Sequence, residues 1–147
     1  MFAGSFDPFT IGHLEIVRVA ERMFDETHVV IGVNVQKKRM FDIDAMEDAI
    51  RECCGKSIIV SRHSGLMTDY AREQGIEWYV RGLRNGQDYA YEENIAAVNA
   101  MLMPGLQTVY LRSTLPCVSS STVRELLAFH HDVSAFLPPS VLKLVKP

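Results

Sequence analysis

Apolar, β-branched runs alternate along this chain with stretches whose apolar residues recur at helical spacing. Thr27–Val35, Ser57–Arg62, Ile76–Val80 and Leu106–Leu111 read as buried strands, and Met1–Ala3 as the stub of a first one. Between them the spacing predicts helices over Gly12–Met23, Asp42–Cys54, Leu66–Gln74 and Asp88–Met103. Ile16, Val17, Ala20, Met23 and Phe24 make the apolar stripe of the first helix. Ile43, Met46, Ile50 and Cys53 make that of the second, behind Asp42 as N-cap. Gly75 stops the third helix and Pro104-Gly105 closes the fourth. Ser119–Phe129 reads as a serine-capped helix, and short helical pieces at Val133–Leu137 and Ser140–Lys146 flank Pro138-Pro139. Trp78, inside a strand, is expected in the core.

Alternation of this kind specifies an α/β fold, a Rossmann-like, doubly wound, five-stranded parallel sheet flanked by helices, in one domain spanning residues 1–147. Such sheets bind ligands outside the carboxyl ends of their strands, so chemically loaded segments should follow strands. Gly4–His13, Gln36–Arg39, His63–Met67, Arg81–Arg84 and Ser113–Ser121 all do.

The 147 residues are 48% hydrophobic and 22% charged, an ordinary soluble composition with room for a proper core. A net charge of −3 argues against a nucleic-acid partner, so any anion site must come from a few clustered cations. Cys53 and Cys54 are adjacent and Cys117 stands alone, a pattern that favours a reducing compartment. The run Val29–Val35 is too short to span a bilayer and no cleavable leader precedes it, so a cytoplasmic protein without a membrane partner is expected.

The stretch Gly4-Ser5-Phe6-Asp7-Pro8-Phe9-Thr10-Ile11-Gly12-His13 puts a histidine in the opening turn of a helix. Unpaired N–H groups and the positive end of the dipole suit a phosphate there, and an imidazole can donate to charge building on it. An ordinary strand-to-helix turn is the competing reading. Lys37, Lys38, Arg39, Arg81, Arg84 and Arg124, each a solvated charge if taken singly, would form a polyanion clamp if they share one rim. Ser119-Ser120-Ser121-Thr122 offers hydroxyls and N–H groups to phosphate oxygens, beyond what a single N-cap needs. Asp7 suits three roles: ordering the loop, holding a metal through water, or an Asx-turn before Pro8. Tyr89 and Tyr91 are read as packing residues. His28, His63, His130 and His131 lack metal-ligand spacing and are read as surface or loop residues. No residue is assigned to a metal.

Taken together, these segments resemble the phosphopantetheine adenylyltransferases, within the nucleotidyltransferase superfamily that carries a T/H-x-G-H motif. The resemblance covers essentially the whole chain. It rests on the opening motif ending in Thr10-Ile11-Gly12-His13, on Lys37-Lys38 with Met40-Phe41, and on Leu66-Met67. It continues through Arg81-Gly82-Leu83-Arg84 with Asp88, Tyr91 and Glu92, and through Val118-Ser119-Ser120-Ser121 with Arg124. It implies transfer of the adenylyl group of ATP to 4′-phosphopantetheine, with Mg²⁺, giving dephospho-coenzyme A and pyrophosphate. It also implies a homo-oligomer, a hexamer. By the same resemblance His13 and Ser5 would stabilise the α-phosphate, Lys37 and Arg81 would hold the attacking phosphate, and Met67 would line the pantetheine arm. Phe6, Gly82, Leu83, Arg84 and Glu92 would contact ATP. Ser119, Ser120 and Ser121, with Val118 and Cys117, would line the triphosphate.

The chain departs from the family pattern in three places. The first strand is short, Ser5 stands where many relatives have threonine, and Ser113–Cys117 is shorter and lacks an aromatic residue. The nearest alternatives are a nucleotidyltransferase acting on nicotinamide mononucleotide or a polyol phosphate, and a non-catalytic nucleotide-binding regulatory module.

Overall fold

The computed structural model describes residues 1–34 and 36–145. Five strands, β1 (Phe2–Gly4), β2 (Thr27–Gly32), β3 (Ile58–His63), β4 (Trp78–Leu83) and β5 (Gln107–Arg112), form one parallel sheet in the order β3-β2-β1-β4-β5. The chain winds outward from β1 through β2 to β3, then crosses to β4 and β5. The switch in direction falls between β1 and β4, where such sheets open a crevice. The expected doubly wound fold is the observed one.

Helices α1 (Ile11–Met23) and α2 (Ile43–Cys54) cover one face, joined by α5 (Ser120–Ala128) and α6 (Pro139–Leu142). Phe9, Val17, Val29, Ile31, Met46, Ile50, Val123 and Val141 meet there, each fully buried. The other face has a smaller cluster, built on Ala3, Val30, Tyr79 and Leu106 with Tyr70 and Ala71 of α3 (Met67–Gln74). Over that side also runs α4 (Gly86–Leu102), whose buried residue is Glu92.

Local chemistry explains the boundaries. Asp42 caps α2 by accepting from Ala45 N at 2.9 Å, and Ser119 caps α5 by accepting from Thr122 N at 3.0 Å, both as expected. Asn85 accepts from Asp88 N at 3.0 Å, so α4 starts at Gly86 rather than at Asp88. β4 runs through Arg81-Gly82-Leu83, residues expected to follow the strand, because each pairs in register with β5. Val133–Leu137 forms a turn rather than a helix. Val35 and Lys146, the expected ends of a strand and of the last helix, lie outside the described residues.

Three side chains take places the sequence does not suggest. Trp78 is 45% exposed, since it opens β4 at the sheet's rim and meets the Phe24 ring at 6.2 Å. Met23 is also exposed, on the last turn of α1. His28 is buried within β2, with Nδ1 2.8 Å from the Tyr70 hydroxyl and Nε2 2.9 Å from Glu26.

Candidate active site

The segment Thr10-Ile11-Gly12-His13 is a helix cap before it is anything else. Thr10 is the N-cap of α1, and its Oγ1 accepts from His13 N at 3.4 Å. In return, Thr10 N–H donates to His13 Nδ1 at 2.9 Å. This reciprocal pair is a capping box with histidine where glutamate or glutamine usually stands. A backbone N–H donating to Nδ1 makes that nitrogen the acceptor, so the neutral ring carries its proton on Nε2. Burial, then the positive charges of Arg84 and Arg81, push the His13 pKa down from 6.5 to about 4. At neutral pH the ring is therefore an uncharged donor with a fixed orientation.

His13 faces a cavity of about 380 Å³ at the carboxyl ends of β1 and β4. Gly4 and Gly82 make its floor because neither can carry a side chain. A Cβ on Gly4 would come within 2.8 Å of the Phe6 ring, and one on Gly82 within 3.0 Å of Ile16. Phe6 itself adopts φ +43°, a left-handed backbone, with its ring fully buried against Phe2, Phe9 and His13. Two helix N-termini border the space, those of α1 and α5, so backbone N–H groups and dipoles from both favour an anion between them.

Of the candidate residues, Ser5, Phe6, His13, Arg81, Gly82, Arg84, Glu92, Val118, Ser119, Ser120 and Ser121 come together around this cavity. Lys37, Met67, Leu83 and Cys117 are not among its lining residues. Met67 lies one crevice away: its methyl would sit 3.6 Å from a Cβ on Gly32, which itself would lie 3.8 Å from Gly4 O. Lys37 is exposed in the loop after β2, and Cys117 is exposed at the turn before α5.

Of the six candidate cations, Arg81, Arg84 and Arg124 line the cavity, and several are engaged by protein acceptors. Arg39 points inward, donating to Ser5 O at 2.8 Å and Phe6 O at 3.1 Å. Arg124 donates to Asp7 O at 2.6 Å and to Ser121 Oγ at 3.2 Å. Both therefore shape the loops that an anion would contact. Arg84 pairs with Asp88, and their hydrogen bonds hold the Asp88 carboxyl below the usual range. Arg81 forks onto Glu92 at 2.6 and 2.7 Å and donates from Nη1 to Ala3 O and the Tyr79 hydroxyl. Burial alone would lower the Arg81 pKa, but these partners raise it. Four hydrogen bonds leave one of its five N–H groups for a ligand.

Asp7 orders a loop. Its carboxylate accepts from Met40 N and Phe41 N, both at 3.0 Å, and so ties the segment after Lys37-Lys38 to the opening turn. Among the described residues no three His, Cys, Asp or Glu side chains gather closely enough to hold a metal.

Against this geometry, a profile of cytidylyltransferase-like proteins matches residues 1–126. The phosphopantetheine adenylyltransferase of Streptococcus agalactiae is 40% identical over 152 residues, covering 99% of this chain and 94% of that protein. The chain belongs to the phosphopantetheine adenylyltransferase family. Proteins of the same name from Nocardioides sp. and Porphyromonas gingivalis are 44% and 43% identical, each over 94% of this chain and covering 89% and 92% of their own lengths.

Membership gives weight to residues that periodicity alone passed over. Tyr91, read as packing, is 67% exposed and borders the cavity. Thr10 stands three residues before His13, which is capping-box spacing and was legible in the sequence. The Arg84–Asp88 pair is an i,i+4 spacing and equally legible. The Arg81–Glu92 pair joins a strand to a helix across eleven positions, and no local pattern announces it.

Proposed function

We propose that this protein transfers the adenylyl group of ATP to 4′-phosphopantetheine, giving dephospho-coenzyme A and pyrophosphate. The observation that carries the reading is the neutral His13 ring, locked by Thr10 with its remaining N–H as donor, in a cavity between two helix N-termini. Likeness to phosphopantetheine adenylyltransferases over nearly the whole chain, at 40–44% identity, supports these substrates.

An oxygen of the acceptor phosphate attacks the α-phosphorus of ATP in line. The bond from that phosphorus to the bridging oxygen breaks, and its electron pair leaves with pyrophosphate. No protein atom becomes covalently attached; catalysis comes from positioning and charge stabilisation. His13 and Ser5 donate to the α-phosphate oxygens as charge grows there. Ser119, Ser120 and Ser121 with Val118 line the triphosphate at the start of α5, and Phe6, Gly82, Leu83 and Arg84 contact the nucleotide. Glu92, whose oxygens accept from Arg81, lines the cavity on the nucleotide side. Lys37 and the last free N–H of Arg81 receive the acceptor phosphate, and Met67 lines the pantetheine arm in the crevice beside Gly32. Cys117 adds its backbone to the triphosphate loop.

Mg²⁺ fits this site as the partner of the nucleotide's phosphates. Asp7 accepts backbone N–H groups on both oxygens, and Asp88 and Glu92 are paired with arginines, so phosphate oxygens and water would supply most of the ligands. The ion would neutralise charge on the departing pyrophosphate. We further propose a homohexamer in the cytoplasm. The exposed apolar residues of α4 support assembly, and three free cysteines suit a reducing compartment. No helix among the described residues is long and apolar enough to cross a membrane.

The test is pyrophosphate release with ATP, Mg²⁺ and 4′-phosphopantetheine, run beside nicotinamide mononucleotide, a polyol phosphate and CTP. Turnover confined to ATP and 4′-phosphopantetheine is expected. Release with another pair, or with none, overturns the reading. Lys37→Ala should weaken use of 4′-phosphopantetheine strongly and leave calorimetric ATP affinity nearly unchanged.

A further inference from the structure

We propose that Glu15 is a positioning residue, holding the segment after β5 against α1 and so setting the phosphate-binding wall of the cavity. The inference rests on reading that wall as the nucleotide side.

Glu15 lies two residues beyond His13 on α1, and its carboxylate accepts from the Ser113 hydroxyl and from both the backbone and the hydroxyl of Thr114. Ser113 Oγ donates at 2.9 Å, Thr114 N–H donates to both oxygens at 3.1 Å, and Thr114 Oγ1 donates as well. The last sheet bond of this strand is Ser113 N to Leu83 O at 2.8 Å. Beyond it the backbone has no strand partner, and the carboxylate takes over the role that a neighbouring strand would play. Ser113 is buried, and its Oγ also accepts from Leu115 N at 3.1 Å. Val118 N then donates to Leu115 O at 3.0 Å, closing a turn that lays Val118 beside Gly12 and starts α5 at Ser120. Ser120 Oγ fastens the far side by donating to Pro8 O at 2.8 Å.

One helix therefore carries both the imidazole and the strut that fixes the opposing serines. Hydrogen bonds to an ionised acceptor are about twice as strong as neutral ones, which suits a short loop with few other contacts. Burial would raise the Glu15 pKa, but the bonds from Thr114 and Ser113 outweigh it and keep the carboxyl below its usual range.

The experiment compares the full-length wild type with Glu15→Ala, Glu15→Gln and Ser113→Ala. Glu15→Ala should raise KM for ATP about tenfold, with kcat and KM for 4′-phosphopantetheine changed less than about threefold. Hydrogen exchange at the Thr114 amide should accelerate at least about tenfold. Glu15→Gln keeps one acceptor oxygen and should recover much of the loss, which a role in overall folding would not predict. Adding Ser113→Ala to Glu15→Ala should cost less than the sum of the two single changes, because they share the Glu15–Ser113 contact and only the Leu115 N bond is lost in addition. An unchanged KM for ATP, or equal losses for both substrates, overturns the proposal. If the wild type turns over none of the acceptors, the reaction reading fails separately, and calorimetric ATP affinity without acceptor decides the role of Glu15. Wild type binding ATP no tighter than Glu15→Ala then overturns it. Should Glu15→Ala fail to fold, Glu15→Gln and Ser113→Ala carry the same comparison.

Discussion

Helix α1 and helix α4 both begin behind a side-chain cap, Thr10 in one and Asn85 in the other, and both line the cavity, α1 with His13 and α4 with Asp88, Tyr91 and Glu92. The bodies of the two helices then differ. α1 buries Gly12, Ile16, Val17 and Ala20 against the sheet, whereas α4, over 17 residues, buries Glu92. Val98, Met101 and Leu102 of α4 are 54%, 83% and 45% exposed. In a folded protein most of a helix's stability comes from a packed face rather than from propensity. The contrast separates two requirements. Caps and charge pairs place a functional group at the start of a helix, while the rest of the helix needs a surface to lie on. Its own chain provides that surface for α1, and for α4 we propose that other copies do.

The largest expected effect lies on α1. His13→Ala should lower turnover at least about 100-fold, with KM for ATP changed less than about threefold, as for a donor that acts on the transition state. Steady-state kinetics checks this, and near-normal turnover would remove His13 from the mechanism. On α4, Glu92→Ala strands the Arg81 guanidinium between β1 and β4. Breaking such a largely buried pair should cost roughly 3 kcal/mol in urea unfolding, with Glu92→Gln losing less because its amide oxygen still accepts. A loss below about 1 kcal/mol would mean that α4 is not tied to the site.

A charge on the bare side of α4 probes the contrast directly. Met101→Glu should leave the helical signal near that of wild type and convert most of the assembly to smaller species in light scattering. An unchanged mass would show that this face is not the contact between copies. The smallest effect concerns pH. The folded imidazole of His13 titrates at about 4 against an ordinary 6.5, so between those values the unfolded chain takes up a proton that the folded chain refuses. Its contribution to stability is complete above about pH 6.5 and declines as the pH falls towards 4. Urea midpoints at pH 7 and pH 5 should therefore differ less for His13→Gln than for wild type. Equal pH sensitivity in the two proteins would mean that the ring is not held neutral by its surroundings.

The local signals in the sequence were those with a short physical range. Apolar runs located the strands, and Asp42 and Ser119 marked helix starts, because a cap bonds to an N–H three residues away. The opening motif was legible for the same reason, its phosphate-suited turn being built from neighbours. Misreadings occurred where distant parts decide. Trp78 looked like core from its strand, but it lies at the rim of the sheet. His28 looked like a surface residue, but Tyr70, on another element, gives its ring a buried partner. Arg39 looked like part of an anion clamp, although its targets are carbonyls of Ser5 and Phe6, 34 and 33 positions away.

From its own order of residues this chain determined the strand–helix alternation, the caps and the histidine at the first turn of a helix, since each depends on bonds spanning three or four positions. Tertiary structure alone decided which charges remain available to a ligand. Arg81, Arg39 and Arg124 are identical as residues, and they differ only in the carboxylate or carbonyl that folding brings within hydrogen-bond reach. Electrostatic pairing depends on separation in space, and the order of residues along a chain does not carry that distance.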